Sequence, residues 1–178
     1  DQAYAYVDGG KDVLLVAGKL RNEFDKTTES LRDRTIWNVK GESVTRIDSD
    51  FSRRALDIPG SVMGRFSLAI EKTGEGTAWH EVSVPGAAAG GTLDATKVRA
   101  WVDSIVSLRA DSFAMEGIDV STPSLGTLAI TALGKKMTLS VVRKEGDTKY
   151  LCVSSESPYP FYLQTGTVAR LSKVPKEF

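Results

Sequence analysis

Apolar and polar positions alternate over residues 2–8, with Tyr4 and Tyr6 on one face, and this predicts a strand. Asp8-Gly9-Gly10 signals a turn, and Val13 to Val16 reads as the returning strand. Leu20, Phe24, Thr27 and Leu31 then recur at helical spacing inside a polar segment, which predicts an amphipathic helix over 19–33. Strands are expected at 35–39 and 43–51 around Lys40-Gly41-Glu42. Val44 and Ile47 break strict alternation in the second, so a bulge is expected there. Residues 52–64 are weakly patterned and contain Pro59, Gly60 and Gly64, which suits a loop. A hairpin is expected from Arg65–Lys72, with Phe66, Leu68 and Ile70 inward, through a glycine turn to 77–84 around Trp79.

Beyond a Gly/Ala connector, Val98, Trp101, Val102, Ile105 and Leu108 form one apolar stripe. Asp94 is placed to cap that helix, which is expected over about 93–109. A short strand carrying Phe113 follows. Segments 127–133, 137–143 and 149–154 form a meander, residues 161–163 a last strand, and 166–173 a short helix. Trp79, Trp101, Phe66, Ile70, Val98, Ile105, Leu128, Ile130 and Leu139 are the expected core. Hairpin-like connections and few helices argue for an α+β fold with antiparallel sheets rather than a doubly wound parallel one.

The two ends of the chain resemble one another. Tyr4-Ala-Tyr6-Val7, a loop and Val13 to Val16 parallel Tyr150-Leu-Cys152-Val153, a loop and Phe161-Tyr162-Leu163, at an offset of 146 to 148 residues. The fold is therefore expected as repeated β-hairpin/helix units, with one long amphipathic helix packed on a sheet. Residues 1–34 would be the C-terminal part of a preceding unit, 35–116 a central β-β-β-β-α unit, and 117–178 a meander plus short helix similar to 1–34. On this reading the chain is a fragment of a longer protein.

Composition narrows the function classes. Lys plus Arg equals Asp plus Glu at 23 each, so no basic footprint for nucleic acid or an anionic membrane is present. The single cysteine, Cys152, rules out an intrachain disulfide and a cysteine-rich metal site. No apolar run approaches the roughly 18 to 20 residues that span a bilayer.

Each candidate chemical feature has a plainer structural explanation. His80 is the only histidine and would have to serve any Ser-His-Asp or Cys-His arrangement, but it neighbours Trp79 in a strand and would face solvent if Trp79 is core. Cys152 lies in a strand as a small hydrophobe would. Between Gly126 and Gly134-Lys135 lie seven residues, where a phosphate-binding loop needs about four. Gly74-Glu-Gly76 opens a strand. Gly90-Gly91 precedes a helix but lacks a dinucleotide fingerprint. Asp48, Asp50 and Asp57 intermingle with Arg46, Arg53 and Arg54, which suits a solvated face as well as acid–base work. Tyr159, Phe161 and Tyr162 with Pro158 and Pro160 form the one aromatic-proline cluster. With Trp37 they are the expected binding surface, or else a strand entry.

The order of short motifs carries a resemblance. Leu31-Arg32-Asp33-Arg34 precedes a strand and Val44-Thr45-Arg46-Ile47. Lys72, a glycine turn, Trp79 and Pro85 follow. Asp94 then opens a helix that ends Leu108-Arg109-Ala110-Asp111, ahead of Phe113, Gly117-Ile118-Asp119, Pro123 and Leu128. This resembles the DUF4340 family of uncharacterised bacterial proteins over most of residues 4–165. The Ala/Gly connector after Pro85 departs from the family's quick passage into the helix. The resemblance implies an extracytoplasmic part of a membrane-anchored protein, often beside ABC-transporter or gliding-motility components. It implies no catalytic residue.

The expected function is thus a non-enzymatic, periplasmic or extracytoplasmic interaction module with protein partners in the cell envelope. No cofactor, metal or nucleic acid is expected, and a homodimer through an open sheet edge is foreseen. The alternatives are a small-ligand or glycan-binding domain using Tyr159, Phe161, Tyr162 and Trp37, and a hydrolase resting on Asp48, Asp50 and Asp57.

Overall fold

The computed structural model describes residues 2–6, 13–17, 26–53, 56, 64–72, 78–82, 93–114 and 118–178. The chain divides into two compact units, Asp1–Asp33 and Arg34–Phe178. In the first, β1 (Gln2–Tyr6) and β2 (Val13–Ala17) pair antiparallel as a two-stranded sheet. A single helical turn, α1 (Thr28–Leu31), follows, capped by the Thr27 hydroxyl accepting from the Ser30 N–H at 3.2 Å. The Gly9-Gly10 turn and the Leu20 and Phe24 positions of the expected helix lie outside the described residues.

The second unit is built on one antiparallel sheet. Its strands are β3 (Val44–Ser52), β4 (Arg65–Lys72), β5 (Trp79–Glu81), β6 (Ser112–Phe113), β7 (Gly126–Ala132), β8 (Lys135–Glu145), β9 (Lys149–Ser154) and β10 (Ser157–Gln164). Their order is β5-β4-β3-β7-β8-β9-β10-β6, so residues 35–116 and 117–178 share a sheet through the β3–β7 and β6–β10 pairs. The meander turns fall where glycine permits them. Leu133-Gly134 and Gly146 adopt positive φ of 52°, 75° and 61°, a region glycine enters at little cost. The expected bulge in β3 is seen against β7, between Val44 and Arg46. Both edge strands are short, three residues at β5 and two at β6, which limits edge-to-edge pairing.

One sheet face carries the main core. Ile47 and Phe51 of β3, Leu68 and Ile70 of β4, Leu128 and Ile130 of β7, and Leu139 and Val141 of β8 pack there with Tyr150, Cys152, Phe161 and Leu163. Helix α2 (Ala95–Val106) contributes Val98, Trp101, Val102 and Ile105. It is shorter than the stripe predicts. Asp94 caps its start by accepting from Thr96 and Lys97 N–H at 2.8 and 3.2 Å. At its end Ser107 folds back on the Asp103 carbonyl, and Arg109 leaves to form a bridge with Thr35. Helix α3 (Thr165–Leu171) adds Val168 and Leu171.

The expected core residues are buried except Trp79 and Phe66, which are half-buried near the β5 edge. The expected strand over 35–39 is a correction. Ile36 and Trp37 are adjacent and both buried, which strand alternation does not permit when one face is solvated. Only Thr35 pairs, and a 3₁₀ turn at Gly41–Ser43 follows.

Candidate functional site

The second sheet face is split. At the β8–β9–β10 end Val142, Leu151 and Ala114 form a small apolar cluster with Ile118, Val153 and Tyr162 packed on it. At the β4–β3–β7–β8 end no helix among the described residues covers the sheet, and strand register lays side chains out in cross-strand rows. Glu71, Arg46, Thr131 and Lys136 make one row, Ala69, Asp48, Ala129 and Thr138 the next, and Ser67, Asp50, Thr127 and Ser140 the third. The floor residues are small, so the space above them stays open as a depression of about 470 Å³.

The carboxylates in this depression are held by arginine. Arg46 donates to Asp48 through Nε at 3.0 Å and Nη2 at 2.7 Å, and to Glu71 at 3.3 Å. Arg65 grips Asp50 bidentately at 2.9 and 2.7 Å, and the Ser67 hydroxyl donates to the same carboxylate at 3.3 Å. The hydrogen bonds that Arg46 donates to Asp48 hold its guanidinium above its ordinary pKa, against partial desolvation, and those that Arg65 donates to Asp50 do the same there. Paired this way, the carboxylates present remaining lone pairs to a donor while each stays beside a cation. With the hydroxyls of Thr127, Thr138 and Ser140 they make a surface suited to hydrogen bonding. Asp57, the third carboxylate of the sequence pattern, lies outside the described residues.

The candidate nucleophile and base are far apart. His80 is exposed on β5 opposite Glu71, and Cys152 is buried on β9, five strand steps away. At about 4.8 Å per step this is roughly 24 Å. Burial pushes the Cys152 thiol well above its ordinary value, with the charge of Asp111 adding to the effect. A thiol in that state is not a nucleophile at neutral pH. Among the described residues no group of three His, Cys, Asp or Glu is placed to hold a metal, and no helix is long and apolar enough to cross a membrane.

The expected aromatic surface is dispersed. Trp37 is buried, with its indole N–H donating to Ser154 Oγ at 3.3 Å, and Phe161 is buried opposite Cys152. Tyr162 lies half-buried in the smaller cluster with Lys149 4.2 Å from its ring centre. Tyr159 alone is exposed, at 39%, and meets Phe113 edge-on. The reason lies in the alternation along β10 together with its register against β9. Proline at 158 and 160 marks the strand entry, and alternation from there sends Phe161 and Leu163 inward.

A family model described as "Domain of unknown function (DUF4340)" matches residues 1–129. The chain belongs to the DUF4340 family. The matched stretch spans the first unit, β3 to β6 and α2, and ends inside β7 at Ala129. The DUF4340 match thus covers the Asp48 and Asp50 side of the depression, while Lys136, Thr138 and Ser140 lie beyond it. No curated protein and no solved structure matches the chain.

Proposed function

We propose that this DUF4340 chain is a non-enzymatic, extracytoplasmic interaction module of a membrane-anchored protein that works beside an ABC transporter. The observation that carries the reading is the half-face of the large sheet that no helix among the described residues covers, where three rows of small and paired-charge side chains form an open depression. A protein segment laid there meets carboxylates already oriented by Arg46 and Arg65, with hydroxyls beside them, so little ordering of those carboxylates opposes docking. The separation of His80 from Cys152 and the burial of that thiol favour binding over covalent catalysis. The glycan-binding alternative has weaker support, because Trp37 and Phe161 do not present their rings to solvent. We also read residues 1–34 and 117–178 as related units, as the end-to-end sequence copy suggests.

The test is site-specific photocrosslinking of the full-length protein in its native membrane. A photoreactive residue at Thr138, in the depression, is expected to capture a transporter subunit or sister subunit. The same residue at Lys97, on the outer side of α2, is the control. Equal yields from both positions, or none from Thr138, would reject the depression as the docking surface. Protease protection of the chain in intact spheroplasts would place it in the cytoplasm and reject the extracytoplasmic assignment.

A further inference from the structure

The hairpin β1–β2 pairs in the same register as the hairpin β9–β10. Tyr4 lies opposite Leu15, Ala5 opposite Leu14 and Tyr6 opposite Val13. In the last hairpin Tyr150 lies opposite Leu163, Leu151 opposite Tyr162 and Cys152 opposite Phe161. Adding 146 to the β1 numbers and 148 to the β2 numbers converts the first three pairs into the second three. The same shifts bring Asp1 onto Asp147 and Gly18 onto Gly166. A slip of one residue would turn every side chain to the other face, so agreement at three consecutive pairs gives each position of the first hairpin a counterpart face in the last.

Those counterpart faces differ in what covers them. Tyr150, Cys152, Phe161 and Leu163 are all 0% exposed. Strand β8 pairs along the outer side of β9, and Trp101 and Ile105 of α2 belong to the same apolar cluster. Tyr4, Val13 and Leu15 are 79, 62 and 55% exposed. Among the described residues β1 pairs with β2 alone. A two-stranded hairpin is marginal in water without a packed face. Strand β1, Gln2-Ala-Tyr-Ala-Tyr6, also carries no charge or proline that would discourage an added strand.

We propose that the exposed face and outer edge of β1–β2 are a docking site for a strand-and-helix element of this family's own build. Its strand, apolar on one side like β8, lies antiparallel along β1. Its helix lays a stripe like that of Val98, Trp101 and Ile105 over Tyr4, Val13 and Leu15. A second folded copy of the chain does not supply this element, because its β8 is already paired with its own β9 and its α2 stripe lies in its own core. The occupant is therefore a unit whose closing hairpin is missing, and β1–β2 completes it. The proposal rests on the reading of residues 1–34 and 117–178 as related units.

The test compares the 178-residue chain with a tandem chain in which residues 34–146 precede residue 1, so that Gly146 runs into Asp1 as it natively runs into Asp147. The 178-residue chain is expected to be a monomer by light scattering, and in it the amides of 2–6 and 13–17 are expected to exchange with deuterium at least roughly a hundredfold faster than those of 149–154 and 157–164. In the tandem chain they are expected to slow by a similar factor, and Leu15→Lys is expected to return them to fast exchange. Protection of 2–17 already present in the monomer would overturn the docking site and leave the repeat relation standing. A dimer of the 178-residue chain that Leu15→Lys makes monomeric would overturn the assigned occupant in favour of a second copy. Fast exchange of 2–17 persisting in the tandem chain would overturn the repeat relation, and the proposal with it.

Discussion

Gly126 opens β7 directly opposite Phe51 of β3 and Val141 of β8. A Cβ built at this position would lie 2.1 Å from Phe51 Cδ1 and 2.7 and 2.8 Å from two further ring atoms. Phe51 is itself buried in the main core, so the ring has no solvent side into which to retreat. Gly126→Ala therefore forces the ring or the β3–β7 pairing to shift. Overpacking of this kind costs about 1–3 kcal/mol, and an overlap this deep belongs at the upper end. The intrinsic gain of replacing a strand glycine offsets only about 0.5–1 kcal/mol. The net expectation is a loss of about 2 kcal/mol. Urea unfolding followed by the fluorescence of the buried Trp37 and Trp101 measures it, and the midpoint should fall by about 1 M for a slope of about 2 kcal/mol/M. Phe51→Leu removes the obstructing ring. The double variant should lose at least about 1 kcal/mol less than the two single losses added together. A midpoint for Gly126→Ala equal to or above that of the parent, with an unchanged slope, would refute the packing argument.

Trp101→Ala is expected to cost about 3–5 kcal/mol, because the ring is buried, packs 5.1 Å from Phe178 and donates its indole N–H to the Arg170 carbonyl at 3.1 Å. Trp101→Phe should lose less, and a loss under about 1 kcal/mol for the alanine variant would mean α2 does not bury this face. Cys152 should resist an aromatic disulfide reagent at pH 8 until the chain unfolds, since burial disfavours its thiolate, and rapid labelling in native buffer would contradict that. The hydrogen bond from Lys135 at 2.6 Å, with a second from Ser155, lowers the Glu156 pKa below its ordinary 4.5. A depressed carboxylate adds stability above its unfolded value and loses it as pH falls through its folded value. Lys135→Met should therefore cost about 0.2–1 kcal/mol at pH 7 for so exposed a pair, and the two proteins should converge below pH 4.5. A difference that persists unchanged in acid would assign the effect to packing instead.

Local pattern accounts for much of this fold. The stripe Val98, Trp101, Val102 and Ile105 identifies α2 because a helix returns to the same face every three or four residues, and Asp94 marks its start through the N–H groups it accepts from. The meander from β7 to β10 follows from period-two alternation and from Gly134 and Gly146 at its turns. Where two apolar residues stand side by side, as at Ile36-Trp37, alternation gives no direction. Their burial depends on Leu108 and Ala110 approaching residues 34–36 from the far end of α2.

The aromatic run at 159–162 shows the same division. Its composition announces a cluster, yet which ring points inward follows from the register of β10 against β9, and only the assembled sheet supplies that. The candidate site was less legible still. Asp48 and Asp50 stand out as carboxylates among arginines, but the depression exists because β3 pairs with β7 about eighty residues away, bringing Ala129, Thr138 and Ser140 beside them. Nothing local encodes that neighbour.

By itself, then, the sequence determined most of the elements, the antiparallel class and most of the core. These depend on side-chain period and turn chemistry, which act within a few residues. The tertiary structure alone decided which sheet face α2 covers, which half-face the described helices leave open, and that Tyr4, Val13 and Leu15 stand exposed while Tyr150, Phe161 and Leu163 are buried. Those outcomes depend on strand order and burial, which are settled by contacts between residues far apart in the chain.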